Sequence, residues 1–146
     1  MPVEITIAPI DPCSDLIEPL AAEARGQGYL FVDRLLDEAR SGENTFQKRG
    51  ECFCGVFVNE LLVGCGGVNL DPYVDTRVGR LRYIYVLRKF RRRGITASLV
   101  RELLRPSKSS FKTVRLRTSD DSADKFYDVL GFTRIDDQTA THFIEI

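Results

Sequence analysis

The chain has 146 residues, 43% of them apolar, which suits one domain over residues 1–146 whose core needs no disulfide or metal staple. Its 21 basic and 21 acidic side chains cancel, which counts against a polyanion such as nucleic acid as the main partner. No run approaches the roughly 18 apolar residues of a membrane span, and the first residues lack the basic start and apolar core of a secretion signal, so no membrane association and a cytoplasmic location are expected.

Val3, Ile5 and Ile7 alternate with polar residues and predict a first strand ending at Pro9. Asp11 and Ser14 are caps for a helix through Leu16, Ile17 and Leu20 to Ala24, broken by Gly26 and Gly28. A second helix from about Tyr29 carries Phe31, Leu35 and Ala39 on one stripe and ends in residues 41–44. Residues 52–58 and 61–70 are apolar runs separated by Asn59 and Glu60, the spacing of a tight antiparallel hairpin. Gly64, Gly66 and Gly67 inside the second run predict a bulge or a close approach of ligand or backbone; a bend packed against a helix is equally open. Of the four cysteines, Cys52 and Cys54 are spaced wrongly for a zinc site and no histidine lies nearby, so no metal is expected. The only histidine, His142, falls in a C-terminal strand and reads as structural.

Residues 71–75 form a turn-rich loop before the stretch around which the chain is organised. Leu81, Tyr83 and Tyr85 alternate with Arg82, Ile84 and Val86 as a strand. Five of the six residues 88–93 are then basic, Gly94 follows, and Ile95, Leu99 and Leu103 mark the buried stripe of a helix that Pro106 should stop. Basic groups at a helix N-terminus oppose the helix dipole at a cost of roughly 0.3–1 kcal/mol each. A docked anion would remove that mismatch, since the first turn offers unpaired N–H groups. Downstream, Val114, Leu116 and Thr118 define a strand, residues 119–122 supply a helix cap, and Ala123, Phe126, Tyr127 and Leu130 form a buried helical face ended by Gly131. Residues 133–137 and 141–146 read as two closing strands. The order β-α-α-β-β-β-α-β-α-β-β predicts an α/β fold with a mixed sheet and helices on both faces.

Arg91-Arg92-Arg93-Gly94-Ile95-Thr96 resembles the Gln/Arg-x-x-Gly-x-Gly/Ala motif of the GCN5-related N-acetyltransferase (GNAT) family. The segment Ala123-Asp124-Lys125-Phe126-Tyr127-Asp128-Val129-Leu130-Gly131-Phe132 resembles that family's Ala-x-x-x-Tyr-x-x-x-Gly-Phe run, in the family's order and separation. The resemblance implies a GNAT-like acyl-CoA fold, with acetyl-coenzyme A (acetyl-CoA) as co-substrate and a primary amine of a small molecule or protein attacking it directly. It places the pyrophosphate on the backbone of Arg92, Arg93, Gly94, Ile95, Thr96 and Ala97, with charge from Arg91, Arg92 and Arg93. The pantetheine arm would run beside Tyr85, Val86 and Leu87, with the backbone N–H of Val86 or a neighbour polarising the thioester carbonyl. Asp120 stands where many members have a cofactor-site asparagine, and Tyr127 matches the tyrosine that protonates the departing thiolate.

The chain also departs from the family pattern. Arg80 aligns with a glutamate often used as general base, and arginine cannot serve as one. Asp75 is the substitute favoured here, with Asp71 and water held by Tyr83 as others. Thr96 replaces a small residue, and Arg88 stands where proline is common. A non-catalytic acyl-CoA-binding module of the same fold is therefore the alternative, and a polyanion surface at residues 88–93 a third reading. The acceptor is not encoded in a recognisable motif, and a homodimer is compatible with the sequence.

Overall fold

The hairpin forms where Asn59 and Glu60 call for it: β2 (Cys52–Val58) turns into β3 (Leu61–Leu70), Val58 faces Leu61, and Asn59 takes φ 56 in the turn. The structure is a computed structural model that describes residues 4–74 and 77–146. Ahead of the hairpin come β1 (Ile5–Pro9), a 3-10 turn at Asp15–Ile17 capped by Ser14, α1 (Glu18–Gly26) and α2 (Phe31–Ser41). After it come β4 (Gly79–Val86), a 3-10 turn at Arg88–Phe90, α3 (Ile95–Ser107), β5 (Thr113–Leu116), α4 (Asp121–Val129), β6 (Thr133–Arg134) and β7 (His142–Glu145). The element order is the one that periodicity predicts. The strands form one sheet in the order β1-β2-β3-β4-β5-β7-β6, antiparallel except for the parallel pair β4–β5.

Each face of the sheet buries its own apolar cluster. Leu99 and Leu103 of α3 and Tyr127 of α4 pack with Val63, Leu81 and Val86 on one face. Leu20 and Ala24 of α1 and Val32 and Leu35 of α2 pack with Phe46, Phe53, Tyr83 and Tyr85 on the other. The simple alternation expected along β4 fails at one point. Gly67 pairs with Arg82 and Cys65 with Tyr85, so the single residue Gly66 faces both Tyr83 and Ile84. Tyr83 takes φ 61, the left-handed backbone of a β-bulge. The extra residue turns Tyr83 and Tyr85 to the face opposite Leu81, and returns Ile84 and Val86 to the α3 face. Gly66 is the complement of this bulge, since a Cβ there would lie 2.3 Å from Ile84 Cδ1. The bulge is realised, and so is close approach: a Cβ would lie 3.1 Å from the Tyr85 carbonyl at Gly64, 2.9 Å from the Cys52 carbonyl at Gly67, and against Leu99 and Leu103 of α3 at Gly66.

The decisive feature lies between β4 and β5. They pair only over Gly79↔Val114 and Arg80↔Arg115, after which β4 runs on alone to Val86. Two guanidinium groups thus face each other across the seam, and Asp71 holds them together. Its buried carboxylate lies 3.3 Å from Arg80 and 3.4 Å from Arg115. Arg80 also donates to the Thr139 carbonyl (2.7 Å) and Arg115 to the Thr139 hydroxyl (2.6 Å).

Two boundaries differ from expectation. Pro106 lies inside α3 rather than after it, and the helix continues to Ser107, whose buried hydroxyl donates to the carbonyls of Leu103 and Gly50. Pro106 forfeits the N–H bond to the Glu102 carbonyl, and the helix ends one residue later. The sixth strand is only two residues long: after Ile135, whose N–H still donates to the Thr141 carbonyl (2.9 Å), the chain turns, and Asp137 accepts from the Thr139 N–H (2.7 Å).

Candidate functional site

The basic turn and the start of α3 present an uncapped, backbone-lined helix end. Arg92 (φ 64) and Gly94 (φ 76) both take the left-handed conformation, and Gly94 is the N-cap without any side-chain cap. The first intrahelical bond runs from the Ser98 N–H to the Gly94 carbonyl, so the N–H groups of Ile95, Thr96 and Ala97 are left for another partner. Ile95 is anchored in the core, while Thr96 and Ala97 are partly exposed. A left-handed non-glycine residue such as Arg92 costs roughly 1–2 kcal/mol, and here it turns successive amides toward one spot.

The three arginines divide. Arg91 donates from Nε to the Val86 carbonyl (2.8 Å) and stacks over the Tyr85 ring (5.2 Å). Its Nε is thereby tied to the end of β4. Arg92 is exposed, and Arg93 lies over Phe90 at 5.5 Å.

The strand-end residues Tyr85, Val86 and Leu87 are not equivalent. The Leu87 N–H donates to the Val63 carbonyl (2.8 Å) across the Gly64↔Val86 pair, which makes that pair the non-hydrogen-bonded kind. Val86 therefore turns its N–H and carbonyl away from β3, into the gap that β5 leaves. Leu87 is committed to β3, and the Tyr85 side chain faces α1 instead. Of the three, Val86 alone offers a backbone donor to the gap.

Tyr127 lies in the same apolar cluster as Val86, with its ring against Phe126 (5.0 Å), Phe132 (5.3 Å) and His142 (5.6 Å). Burial alone pushes its phenol from 10 up to about 12. The group is thus a proton donor throughout the neutral range. The raised value also has a consequence for stability. Unfolded tyrosine ionises near 10, so this contribution is complete below pH 10 and lost as pH climbs to about 12. Between urea unfolding at pH 9 and at pH 11.5 the wild type should lose about 2 kcal/mol more than Tyr127→Phe, beyond the loss both share from the raised Tyr85 phenol and Cys65 thiol.

Asp120 caps α4, accepting from the Ser122 N–H (3.0 Å) and hydroxyl (2.7 Å), which lowers its carboxyl below the usual range. It lines a depression of about 230 Å³ that also touches Asp124 and His142. His142 is buried, with Nδ1 2.9 Å from the Thr141 hydroxyl and Nε2 3.4 Å from Asp124. Among the substitutes for a base, Asp71 is consumed by the seam, and Asp75 lies outside the described residues. Tyr83 donates to Glu38, 2.5 and 2.6 Å from its two oxygens. Burial raises all four cysteine thiols, Cys54 to about 11 and Cys65 to about 12, so none is a ready thiolate nucleophile.

Sequence comparison matches residues 21–132 to the Acetyltransferase (GNAT) family. The chain belongs to the GNAT acetyltransferases. No protein with a curated description matches it. Among solved structures, a protein of Exiguobacterium sp. 255-15 proposed to be an acetyltransferase is similar at 26% identity and a TM-score of 0.85, over 97% of this chain and 93% of that one. A GNAT-family acetyltransferase of Staphylococcus aureus Mu50 shares the fold at 20% identity and a TM-score of 0.74, over 96% of each chain. So does the PaiA N-acetyltransferase of Thermoplasma acidophilum, solved in complex with coenzyme A, at 18% identity and a TM-score of 0.68, over 98% and 99%.

In this GNAT domain the described residues contain no group of three or more His, Cys, Asp or Glu able to hold a metal, and no helix long and apolar enough to cross a membrane. Two carboxylates at the α1 and α2 face escaped sequence reasoning. Glu23 meets Tyr85 and Glu38 meets Tyr83, contacts between residues 62 and 45 positions apart. Only the bulge, which turns both tyrosines to that face, brings them together.

Proposed function

We propose that the protein is an acetyl-CoA-dependent N-acetyltransferase, acting within one domain of residues 1–146 in the cytoplasm. The observation that carries this reading is the parting of β4 from β5 after two residue pairs, with the Val86 N–H turned into the gap beside an uncapped helix end. The helix end at residues 92–97 takes the pyrophosphate, Arg92 and Arg93 add charge, and the pantetheine arm lies along the free edge of β4. Arg91 keeps both Nη groups for the phosphates while its Nε holds the Val86 carbonyl. Asp120 shapes the start of α4 on the far wall. The coenzyme A complex of the Thermoplasma acidophilum relative supports this donor.

Acetyl-CoA presents an electrophilic carbonyl carbon. A preorganised donor such as the Val86 N–H is worth roughly 3–4 kcal/mol to the oxyanion that forms when an amine attacks. Tyr127 gives its proton to the thiolate as the C–S bond breaks. Calorimetric titration of acetyl-CoA and of coenzyme A tests the reading: micromolar binding of both is expected, and binding of neither would sink it. Tyr127→Phe should bind acetyl-CoA unchanged while kcat for a turned-over amine falls about 100-fold. The buried Arg80 at the family's glutamate position favours the second reading, a non-catalytic acyl-CoA module. An unchanged kcat in Tyr127→Phe would count for that module.

A further inference from the structure

An attacking amine is protonated near neutral pH and must first lose a proton, yet Arg80 and Asp71 are locked into the seam. We propose that Glu23 of α1 accepts the proton of the acceptor ammonium, so that the amine enters between α1 and the end of β4. This rests on the transferase reading above.

Glu23 Oε2 accepts two bonds, from the Tyr85 phenol (2.5 Å) and from the Arg88 N–H (3.1 Å). Both donors are neutral groups, and among the described residues no Lys, Arg or His nitrogen lies within 4 Å of this carboxylate. Its neighbours on the same face differ. Asp33 is paired with Arg25 (2.7 Å), Glu18 with Arg40 (2.6 Å) and Glu38 with Arg82 (3.6 Å). Glu23 therefore has no direct ion-pair partner, the cation on that side being Arg91 over the Tyr85 ring, and is open to an incoming ammonium.

Its position is equally specific. Arg88 N and Val86 N are two residues apart, at most about 7 Å. Adding the 3.1 Å bond to Arg88 puts the carboxylate within roughly 10 Å of the Val86 N–H. That distance fits an amine at the thioester carbon with at most one intervening water. Gln27 Nε2 donates to the Tyr85 oxygen (3.2 Å), which leaves the phenol's one proton for Glu23 and fixes the carboxylate. Glu23 is half-buried, so its second oxygen can meet both amine and solvent.

The step balances. Glu23 takes a proton from R–NH3⁺, and the neutral amine forms the C–N bond as the carbonyl pair moves to the oxygen at Val86. Collapse breaks the C–S bond, the thiolate takes the Tyr127 proton, and Tyr127 regains one from the new amide nitrogen. The single net proton leaves Glu23 for solvent.

The test compares wild type, Glu23→Gln and Glu23→Asp by acetyl-CoA calorimetry, thermal melting, and free-thiol release with ethanolamine, a diamine, a lysine peptide and hydroxylamine between pH 6.5 and 10. Hydroxylamine is neutral at pH 7 and needs no base. In Glu23→Gln the acetyl-CoA affinity should hold while kcat/KM for cationic amines at pH 7 falls about 100-fold. The deficit should close as pH rises and be small for hydroxylamine, and Glu23→Asp should restore part of it. Should Glu23→Gln fail to fold, Glu23→Asp carries the same pH and amine dependence in weaker form. A deficit equal for all amines at all pH values, or no deficit, overturns Glu23 alone. Wild type that binds acetyl-CoA but acetylates no amine also overturns it, whereas no binding of acetyl-CoA overturns the transferase reading itself.

Discussion

Gly94→Asp should lower acetyl-CoA affinity at least 100-fold in a protein that remains folded. The argument has two parts. A side chain at this position meets no atom within 4 Å, so the folding cost is that of φ 76 alone, roughly 1–2 kcal/mol for a residue with a Cβ and less for aspartate. The binding cost is electrostatic. A carboxylate about 4 Å from a phosphate charge at an effective dielectric near 20 is repelled by about 4 kcal/mol, and 1.4 kcal/mol is a factor of ten. Gly94→Asn separates charge from shape, because asparagine tolerates the left-handed backbone and is neutral; it should lose tenfold or less. Calorimetry on both variants decides. Equal affinity in wild type and Gly94→Asp would place the anion elsewhere.

Asp71→Asn should destabilise the fold by about 3–5 kcal/mol, the cost of removing one member of a buried ion cluster. For a chain of this size that corresponds to a fall in Tm of roughly 10–15 °C. Arg80 and Arg115 are register partners across β4 and β5, both 8% exposed, and the Asp71 carboxylate is what keeps two facing guanidiniums tolerable. A triple replacement of Asp71, Arg80 and Arg115 by apolar residues of similar volume should recover much of the loss, since desolvated charges are then absent. Turnover per folded molecule should be unchanged in Asp71→Asn. A large fall in kcat with a normal Tm would restore Asp71 as the base.

The element order was legible because helix and strand periods are local: Leu35 and Ala39, or Leu99 and Leu103, report their own helices. The uncapped helix end was legible for the same reason, since Arg92, Gly94 and the helix start are adjacent in the chain. What could not be read are arrangements made by distant partners. Leu81, Tyr83 and Tyr85 look like one face of a strand, and only their pairing with Gly66 and Gly67 across the sheet shows the extra residue that separates Leu81 from the two tyrosines. Asp71 looks like a surface loop aspartate until Arg115 arrives from another strand. Arg91 belongs to the motif by sequence, yet its guanidinium finds the Val86 carbonyl first. Glu23 carries no local mark at all, because its meaning comes from Tyr85 and Arg88.

The two-pair seam also bears on how the molecule breathes. Strands β1 to β4 are joined by antiparallel neighbours, whereas β5, β7 and β6 form a second ladder reached through α3. Within the first ladder β2, β3 and β4 close over short loops and should assemble ahead of the longer-range pairings of β1 with β2 and β5 with β7. The two then behave as partly separate exchange units, and amide deuteration should reveal their joint as a place of low protection at the Val86 end. An occupant of the gap would supply the backbone partners that β5 withholds from β4, in effect an eighth strand. Bound at 100 times its Kd it would stabilise the whole by about 2.7 kcal/mol, slowing exchange on both sides at once. Such an enzyme is most cohesive when charged with its donor and loosens each time the donor is spent and released.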